Sequence, residues 1–244
     1  DLESRLADSL GWKRADIVAC REDWESRATP ARRSGYRILD DDSVEKIYGS
    51  WRAAAEASLD LAVKSFGDLP EGLAPDCDVF VPYYATYRAN WRGIVKGDTM
   101  VAKWALSFLL PEDEAKFRAG RLEESDLSVD RVVQAILPGT YYAYCPVLIV
   151  RPGHEAASAL VLSSFVGFLE DLARRDVLLH GIGTVSVSRG GDQVCRDLGM
   201  EYLGAHQLDE SYGIWDLPGA AVSSSIFGRR SPLVARAYRE EFSV

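Results

Sequence analysis

Thr140-Tyr-Tyr-Ala-Tyr-Cys-Pro-Val-Leu-Ile-Val150 leads through Arg151-Pro-Gly-His-Glu155 into a long apolar stretch, Ala156 to Arg175, and this passage decides the fold. Its first segment reads as a strand, and the continuously apolar second half suits a sheet covered on both faces. In the stretch that follows, Leu162, Phe165, Val166, Leu169, Leu172 and Ala173 recur at helical spacing. Val161 and Phe168 lie off that stripe, so a helix over 156–175 is expected to be buried on more than one side. Arg174 and Arg175 close it at the end where cations are favoured.

Working outward, a strand is expected over 181–187 and a short helix over 192–198, ended by Gly199. Strands over 200–205 and 212–216 then read as a closing hairpin. Upstream, β-branched and aromatic residues predict strands over 78–84 and 99–108, with the turn Lys96-Gly97-Asp98 before the second. Pro111-Glu-Asp-Glu-Ala115 opens a helix with proline and acids in its first turn. A short helix is expected over 128–136. Ser43 is expected to cap a helix over 44–66, which the prolines and glycine of 68–75 bring to an end. Strands alternating with helices are an α/β signature. The expected division is a helical extension over 1–75, an α/β domain over 76–220, and a tail with an amphipathic helix over 221–244.

Charge and cysteine usage narrow the function classes. There are 28 Lys and Arg against 37 Asp and Glu, a net charge of −9, with no basic stripe to offset it, so no nucleic-acid partner is expected. The apolar stretch 159–169 is too short and too serine-interrupted to span a bilayer, which needs about 20 residues, so no membrane partner is expected either. Cys20, Cys77, Cys145 and Cys195 are scattered, and His154, His180 and His206 show no ligand spacing. No metal site is expected, and the thiols read as small buried hydrophobes in a reducing cytoplasm.

The stretch 141–215 resembles the GNAT superfamily of N-acetyltransferases. Val150-Arg-Pro152 stands where that family has V-x-P at the end of its central strand. Its later motif N-x-x-A-x-x-L-Y-x-x-x-G-F lines up without gaps on Ser188, Gly191, Val194, Cys195, Gly199 and Met200. Glu201-Tyr-Leu-Gly204 follows as the next strand. The resemblance implies an α/β fold with a GNAT-like mixed, mainly antiparallel central sheet flanked by helices. It also implies transfer of an acyl group from acetyl-CoA or another acyl-CoA to an amine, by direct attack. The acceptor would be a small-molecule or protein amine, with a homodimer left open. Leu148, Ile149 and Val150 would hold the pantetheine arm. The turn from His154 through Ala156, Ala157, Ser158 and Ala159 would hold the pyrophosphate, and Ser188 would serve as a polar anchor.

The departures from the family pattern are specific. His154-Glu-Ala-Ala-Ser-Ala159 keeps no glycine where close backbone approach to phosphate is wanted. Glu155 puts an anion at the helix N-terminus, where it favours the helix and disfavours a diphosphate. Cys195 replaces the family's tyrosine acid, and an ordinary thiol near ~8.5 is matched to a thiolate leaving group. Glu124, within the acidic group Glu123, Glu124 and Asp126, is the candidate base, and Tyr142 is a second acid or acceptor contact. Two other readings stand beside this one. One is a GNAT-like binding or scaffold module without catalysis, and the other is an acyltransferase with a bulkier or carrier-bound donor.

Overall fold

The computed structural model describes residues 35–67, 69–73, 77–133 and 137–242. Strand β1 (Tyr36–Ile38) is followed by helices α1 (Asp41–Tyr48), α2 (Trp51–Phe66) and α3 (Cys77–Thr86). Strands β2 (Trp91–Lys96) and β3 (Thr99–Leu109) then form a hairpin, and α4 (Pro111–Arg118) leads by way of single 3-10 turns to β4 (Gly139–Val150). After β4 come α5 (Ser158–Ala173), β5 (Val177–Ser186), α6 (Arg189–Leu198), β6 (Glu201–His206) and β7 (Asp209–Pro218). Three helices, α7 (Gly219–Val222), α8 (Ile226–Arg230) and α9 (Pro232–Phe242), end the described chain.

The strands form one seven-stranded sheet in the order β1-β2-β3-β4-β5-β7-β6. Every neighbouring pair is antiparallel except β4 with β5. The sheet is therefore mixed and mainly antiparallel with helices against both faces, the architecture that the resemblance implies. Helix α5 makes the crossover between the parallel strands, as such a connection requires. It buries Phe165, Phe168 and Leu169 together with Trp104 and Phe108 of β3 on one face. On the other face α2 and α3 bury Ala54, Leu59, Phe80 and Tyr84 with Val95, Ala105, Val147 and Ile149. Covering on both faces explains why β3 is buried from Met100 to Leu109 and reads as a nearly unbroken apolar run.

Strand β4 changes character halfway along. Ala105 faces Val147 while Ser107 faces Tyr144, so Cys145 and Pro146 together oppose Leu106 in a β-bulge. Proline has no N–H to give to a ladder, and a bulge is a position that tolerates this. The extra residue also reverses the alternation. Tyr142 and Tyr144 before the bulge lie on the same side of the sheet as Val147 and Ile149 after it.

Several expected elements differ. The helix over 44–66 is two helices: Gly49, at φ 73°, ends α1, and Ser50 caps α2 through Oγ, which accepts from the Ala53 amide. The cap of α1 is Asp40, which accepts from the Ser43 amide, rather than Ser43 itself. The expected strand over 78–84 is helix α3 with Pro82 inside it. An apolar run of that length is consistent with either a buried strand or a buried helix, and packing against α2 decides for the helix. The helix expected over 128–136 is a single 3-10 turn at Val129–Arg131, followed by a bridge from Val132 to Leu109; positions 134–136 lie outside the described residues.

The expected division at residue 75 does not follow the packing. Strand β1 pairs with β2, and α1 and α2 bury Val44, Leu61 and Ala62 in the core beneath the sheet. The expected tail is also core, since Val234 and Tyr238 of α9 are fully buried and the Leu179 amide donates to Tyr238 OH at 3.1 Å. Residues 1–34 of the expected extension lie outside the described residues. The helical stretch Glu155–Ala173 has 19 residues and a mean hydropathy of 1.5 over its most apolar window, so it is long and apolar enough by length and composition to cross a bilayer, where 159–169 alone is too short. Eight side chains of α5 are buried within the protein core.

Candidate functional site

The parallel pair β4–β5 parts at the bulge. Its register runs from Gly139 opposite Val177 to Tyr144 opposite Gly183 and stops there. Beyond that point β4 stays with β3, up to Val150 opposite Ala102, while β5 stays with β7, up to Ser186 opposite Gly213. One link crosses the opening gap: Thr184 Oγ1 donates to the Cys145 carbonyl at 2.7 Å. A cleft of about 290 Å³ fills the space between the strands. Residues 145–150, 184–188, Gly190, Gly191, Val194 and Cys195 line it, together with apolar side chains that include Phe165, Leu217 and Phe227. The β5-facing edge of 145–150 has no partner strand, so its backbone groups are available to a ligand, as buried backbone groups require partners.

The start of α6 is held firmly at the mouth of this cleft. Ser188 Oγ accepts from the Gly191 amide at 3.1 Å, capping the helix. Asp192 accepts from Ser186 Oγ and, at 3.1 Å, from Trp215 Nε1. A Cβ on Gly191 would stand 3.2 Å from that of Ser186, so a small residue suits the approach of helix to strand.

The expected cleft residues divide. Leu148, Ile149, Val150, Ser188 and Cys195 all line the cleft. Cys195 is buried, and that burial pushes its thiol up to about 12. A thiol held that high gives up its proton less readily than an ordinary one near ~8.5.

In the turn before α5, several of the amides that the resemblance assigns to a pyrophosphate are already bonded. His154 precedes a 3-10 turn, Glu155–Ala157, that holds Ala156 and Ala157, and Ser158 and Ala159 are the first helical residues after it. The His154 amide donates to the Arg151 carbonyl at 3.0 Å, and the Ala157 amide to the His154 carbonyl at 2.8 Å. The Ser158 amide donates to the Glu155 carbonyl. Glu155 Oε1 accepts from the Gly153 amide at 2.8 Å. The amides of Glu155 itself and of Gly153 hold its carboxyl below the usual range. His154 Nδ1 is bonded to Tyr36 OH at 2.9 Å, and Ala157 is fully buried. The chain's own carboxylate thus sits in the turn where the diphosphate was expected, an anion that opposes the approach of that group.

A second cavity, of about 40 Å³, adjoins the cleft across Phe66, Pro146, Val147, Val185 and Val187. Its polar lining is Glu124, Lys103 and Tyr84, set among Leu59, Ala62, Leu69, Leu73 and Phe80. Glu124 comes from a 3-10 turn, Glu124–Asp126, anchored by buried Leu122 and Leu127. The His206 ring, bonded to the Leu122 carbonyl at 2.9 Å, ties that loop to the β6–β7 hairpin. Of the acidic group, Glu123 accepts from Gln207 and Asp126 from Lys116 at the surface, while Glu124 alone turns inward. Burial pushes its carboxyl up to about 7, against the opposing pull of a 2.8 Å hydrogen bond from Tyr144 OH and the charge of Lys103.

Lys103 was not among the residues the sequence singled out. It is fully buried on β3, and burial pulls its ammonium down to about 7. Nζ donates to the Ser58 carbonyl at 3.1 Å and lies 5.5 Å from the centre of the Tyr84 ring. The available signal was a lysine inside an otherwise apolar strand, Met100-Val-Ala-Lys-Trp-Ala-Leu106. Tyr142 lines neither cavity. Its hydroxyl donates to Asp216 Oδ1 at 2.7 Å, and Arg118 stands over its ring at 4.9 Å. Among the described residues no group of three or more His, Cys, Asp or Glu side chains converges as a metal site would.

No protein-family model matches the chain, and no curated protein does. Among solved structures the chain is similar to an N-acetyltransferase from Staphylococcus aureus Mu50, at TM-score 0.44 and 10% identity over 76% of this chain and 99% of that one. It is similar to FeeM, an N-acyl amino acid synthase from uncultured soil microbes, at TM-score 0.43 and 12% identity over 80% and 97%. It is also similar to the AHL synthase LasI, at TM-score 0.38 and 12% identity over 74% and 86%. The chain's own sheet is mixed and mainly antiparallel, with its central strand running into an apolar crossover helix, as the sequence resemblance implies.

Proposed function

We propose that this protein is an N-acyltransferase that passes an acyl group from a thioester donor to an amine. The observation that carries this reading is the cleft at the parting of β4 and β5, where an unpaired strand edge faces apolar walls beside a cavity holding a buried carboxylate. A pantetheine arm is narrow, carries amide groups, and pairs with such an edge as an added strand would. The thioester end would lie at the bulge, next to the cavity that holds Glu124.

Glu124 near neutrality is matched to the task of a general base at physiological pH. It takes a proton from the incoming amine. The nitrogen lone pair attacks the thioester carbonyl carbon, the C–N bond forms, the C–S bond breaks, and the thiolate departs along the cleft. In this reading Cys195 packs the cleft wall and the leaving thiolate takes its proton from solvent, because the Cys195 proton is held too tightly.

Acetyl-CoA is one donor of the required class. A carrier-bound pantetheine thioester is favoured by one observation, the closure of the turn by Glu155, since such a donor brings no diphosphate to that position. The proposed setting is the cytoplasm, where the free thiols Cys145 and Cys195 stay reduced. Titration with acetyl-pantetheine and acetyl-CoA, followed by thioester turnover with an amine panel, tests the reading. Binding of both with similar affinity, and turnover lost in Glu124→Gln, is the expected result. No binding of either at millimolar concentration would overturn it in favour of a scaffold module.

A further inference from the structure

Lys103 and Glu124 face one cavity without closing on each other. Their charges interact, yet among the described residues no carboxylate oxygen comes within ion-pair distance of Lys103 Nζ. Among the described residues its one hydrogen-bond partner is the Ser58 carbonyl, although an ammonium has three donors. Among the described residues Glu124 accepts one hydrogen bond, from Tyr144, although a carboxylate has about four acceptor positions. A buried cation and a buried anion, each left with open hydrogen-bonding capacity toward the same small space, are complementary to a ligand carrying both charges.

We propose that this cavity is the acceptor subsite and that it takes the head group of a small α-amino acid. Lys103 Nζ donates to the amino acid's carboxylate, and Glu124 receives a proton from its ammonium. The proposal rests on the acyl-transfer reading for its chemistry but not for its binding. Size sets how the head group would sit. A volume of about 40 Å³ has room for about three water molecules at ~10–15 Å³ each, enough for the three heavy atoms of the carboxylate beside Lys103. The amino group then lies between Glu124 and the border shared with the cleft at Val147 and Val185, on the side of the thioester. The apolar lining of Leu59, Ala62 and Phe80 leaves the side chain little room, which selects a short one. A simple amine would enter beside a lysine with no anion to offer it.

In the reaction the amino nitrogen gives up two protons in all. One goes to Glu124 and from there to solvent. The other leaves the nitrogen as the tetrahedral adduct collapses and reaches the thiolate through solvent, so that an acyl thioester and an amino acid give an N-acyl amino acid and a thiol.

Calorimetric titration with L-alanine, L-alaninamide and ethylamine, with no donor present, tests the subsite by itself. Alanine is expected to bind at least tenfold tighter than either compound lacking the carboxylate. Lys103→Met, shown to be folded by circular dichroism, is expected to bring alanine down to the level of ethylamine, while Glu124→Gln keeps the preference for the carboxylate. Failure of glycine and alanine to bind at tens of millimolar overturns the proposal, as does an unchanged preference in folded Lys103→Met. Binding of alanine with no thioester turnover would sink the acyl-transfer reading and leave the subsite standing. Turnover that treats ethylamine and alanine alike would do the reverse.

Discussion

Tyr142 and Tyr144 stand two residues apart on the same face of β4, and both donate a hydrogen bond to a buried carboxylate. Around Tyr142 the set is closed. Asp216 accepts from Tyr142 at one oxygen and from Arg118 Nη1 at the other, at 3.0 Å, and Gly181 and Gly183 leave just enough room for the Tyr142 and Phe117 rings. Around Tyr144 the set is open: Glu124 and Lys103 each keep unused hydrogen-bonding capacity, and both line a cavity. Both tyrosines are paired on both sides, but Tyr144 is the last such residue before the bulge, and beyond it the β5 side of β4 is empty. A saturated polar cluster stabilises, whereas a half-satisfied one carries a cost that only a ligand offsets.

The largest effect expected from this contrast is on turnover. Glu124→Gln removes the base and should lower kcat by about 10²–10⁴-fold, the usual share of general-base catalysis, in an assay of thiol release. The wild-type rate should rise with pH through about 7 as Glu124 ionises, and that limb should vanish in the variant. A wild-type rate in Glu124→Gln would erase the functional side of the comparison.

The next largest effect is on stability and has an unusual sign. The Lys103 ammonium has a folded-state pKa of about 7, below its ordinary 10.5. Burial of the charge therefore costs most at pH 7 and below, and the cost fades as pH rises toward 10.5. Lys103→Met should be more stable than the wild type by about 2–4 kcal/mol at neutral pH, with the gap closing at high pH in urea titrations. A loss of stability at pH 7 would mean that Lys103 is already well paired.

Smaller effects belong to the closed cluster. Asp216→Ala strands the Tyr142 hydroxyl and should destabilise by about 1–3 kcal/mol in the same titrations. Tyr142→Phe should cost about 1 kcal/mol and leave turnover within a few-fold of wild type. A large loss of kcat with intact stability in Tyr142→Phe would make that cluster functional after all. Smallest of all, Glu155→Ala frees the Gly153 amide and should tighten CoA relative to pantetheine by a few-fold in competition binding.

Much of this was legible in the chain itself. Local physics gives the strand–turn–helix from Thr140 to Arg175, the hairpin turn at Gly97, the proline-and-acid start of α4, and the end of α6 at Gly199. Each depends on neighbours within a few residues, so spacing and capping suffice to read it. The resemblance placed Leu148, Ile149, Val150, Ser188 and Cys195 near one another, and all of them line the cleft.

Other features depended on the whole fold. Phe80-Val-Pro-Tyr-Tyr84 is helical because α2 is there to bury it, which no local window records. Which acid of Glu123, Glu124 and Asp126 turns inward depends on a loop tied to the distant β6–β7 hairpin. That Glu155 closes its own turn depends on the conformation of Gly153, at φ 82°. The lysine at position 103 reads in sequence as a flaw in a strand; its open hydrogen-bonding capacity exists only once β3, α2 and the Glu124 loop meet. Sequence determines what a residue is able to offer, and packing between distant segments decides whether that offer is already taken.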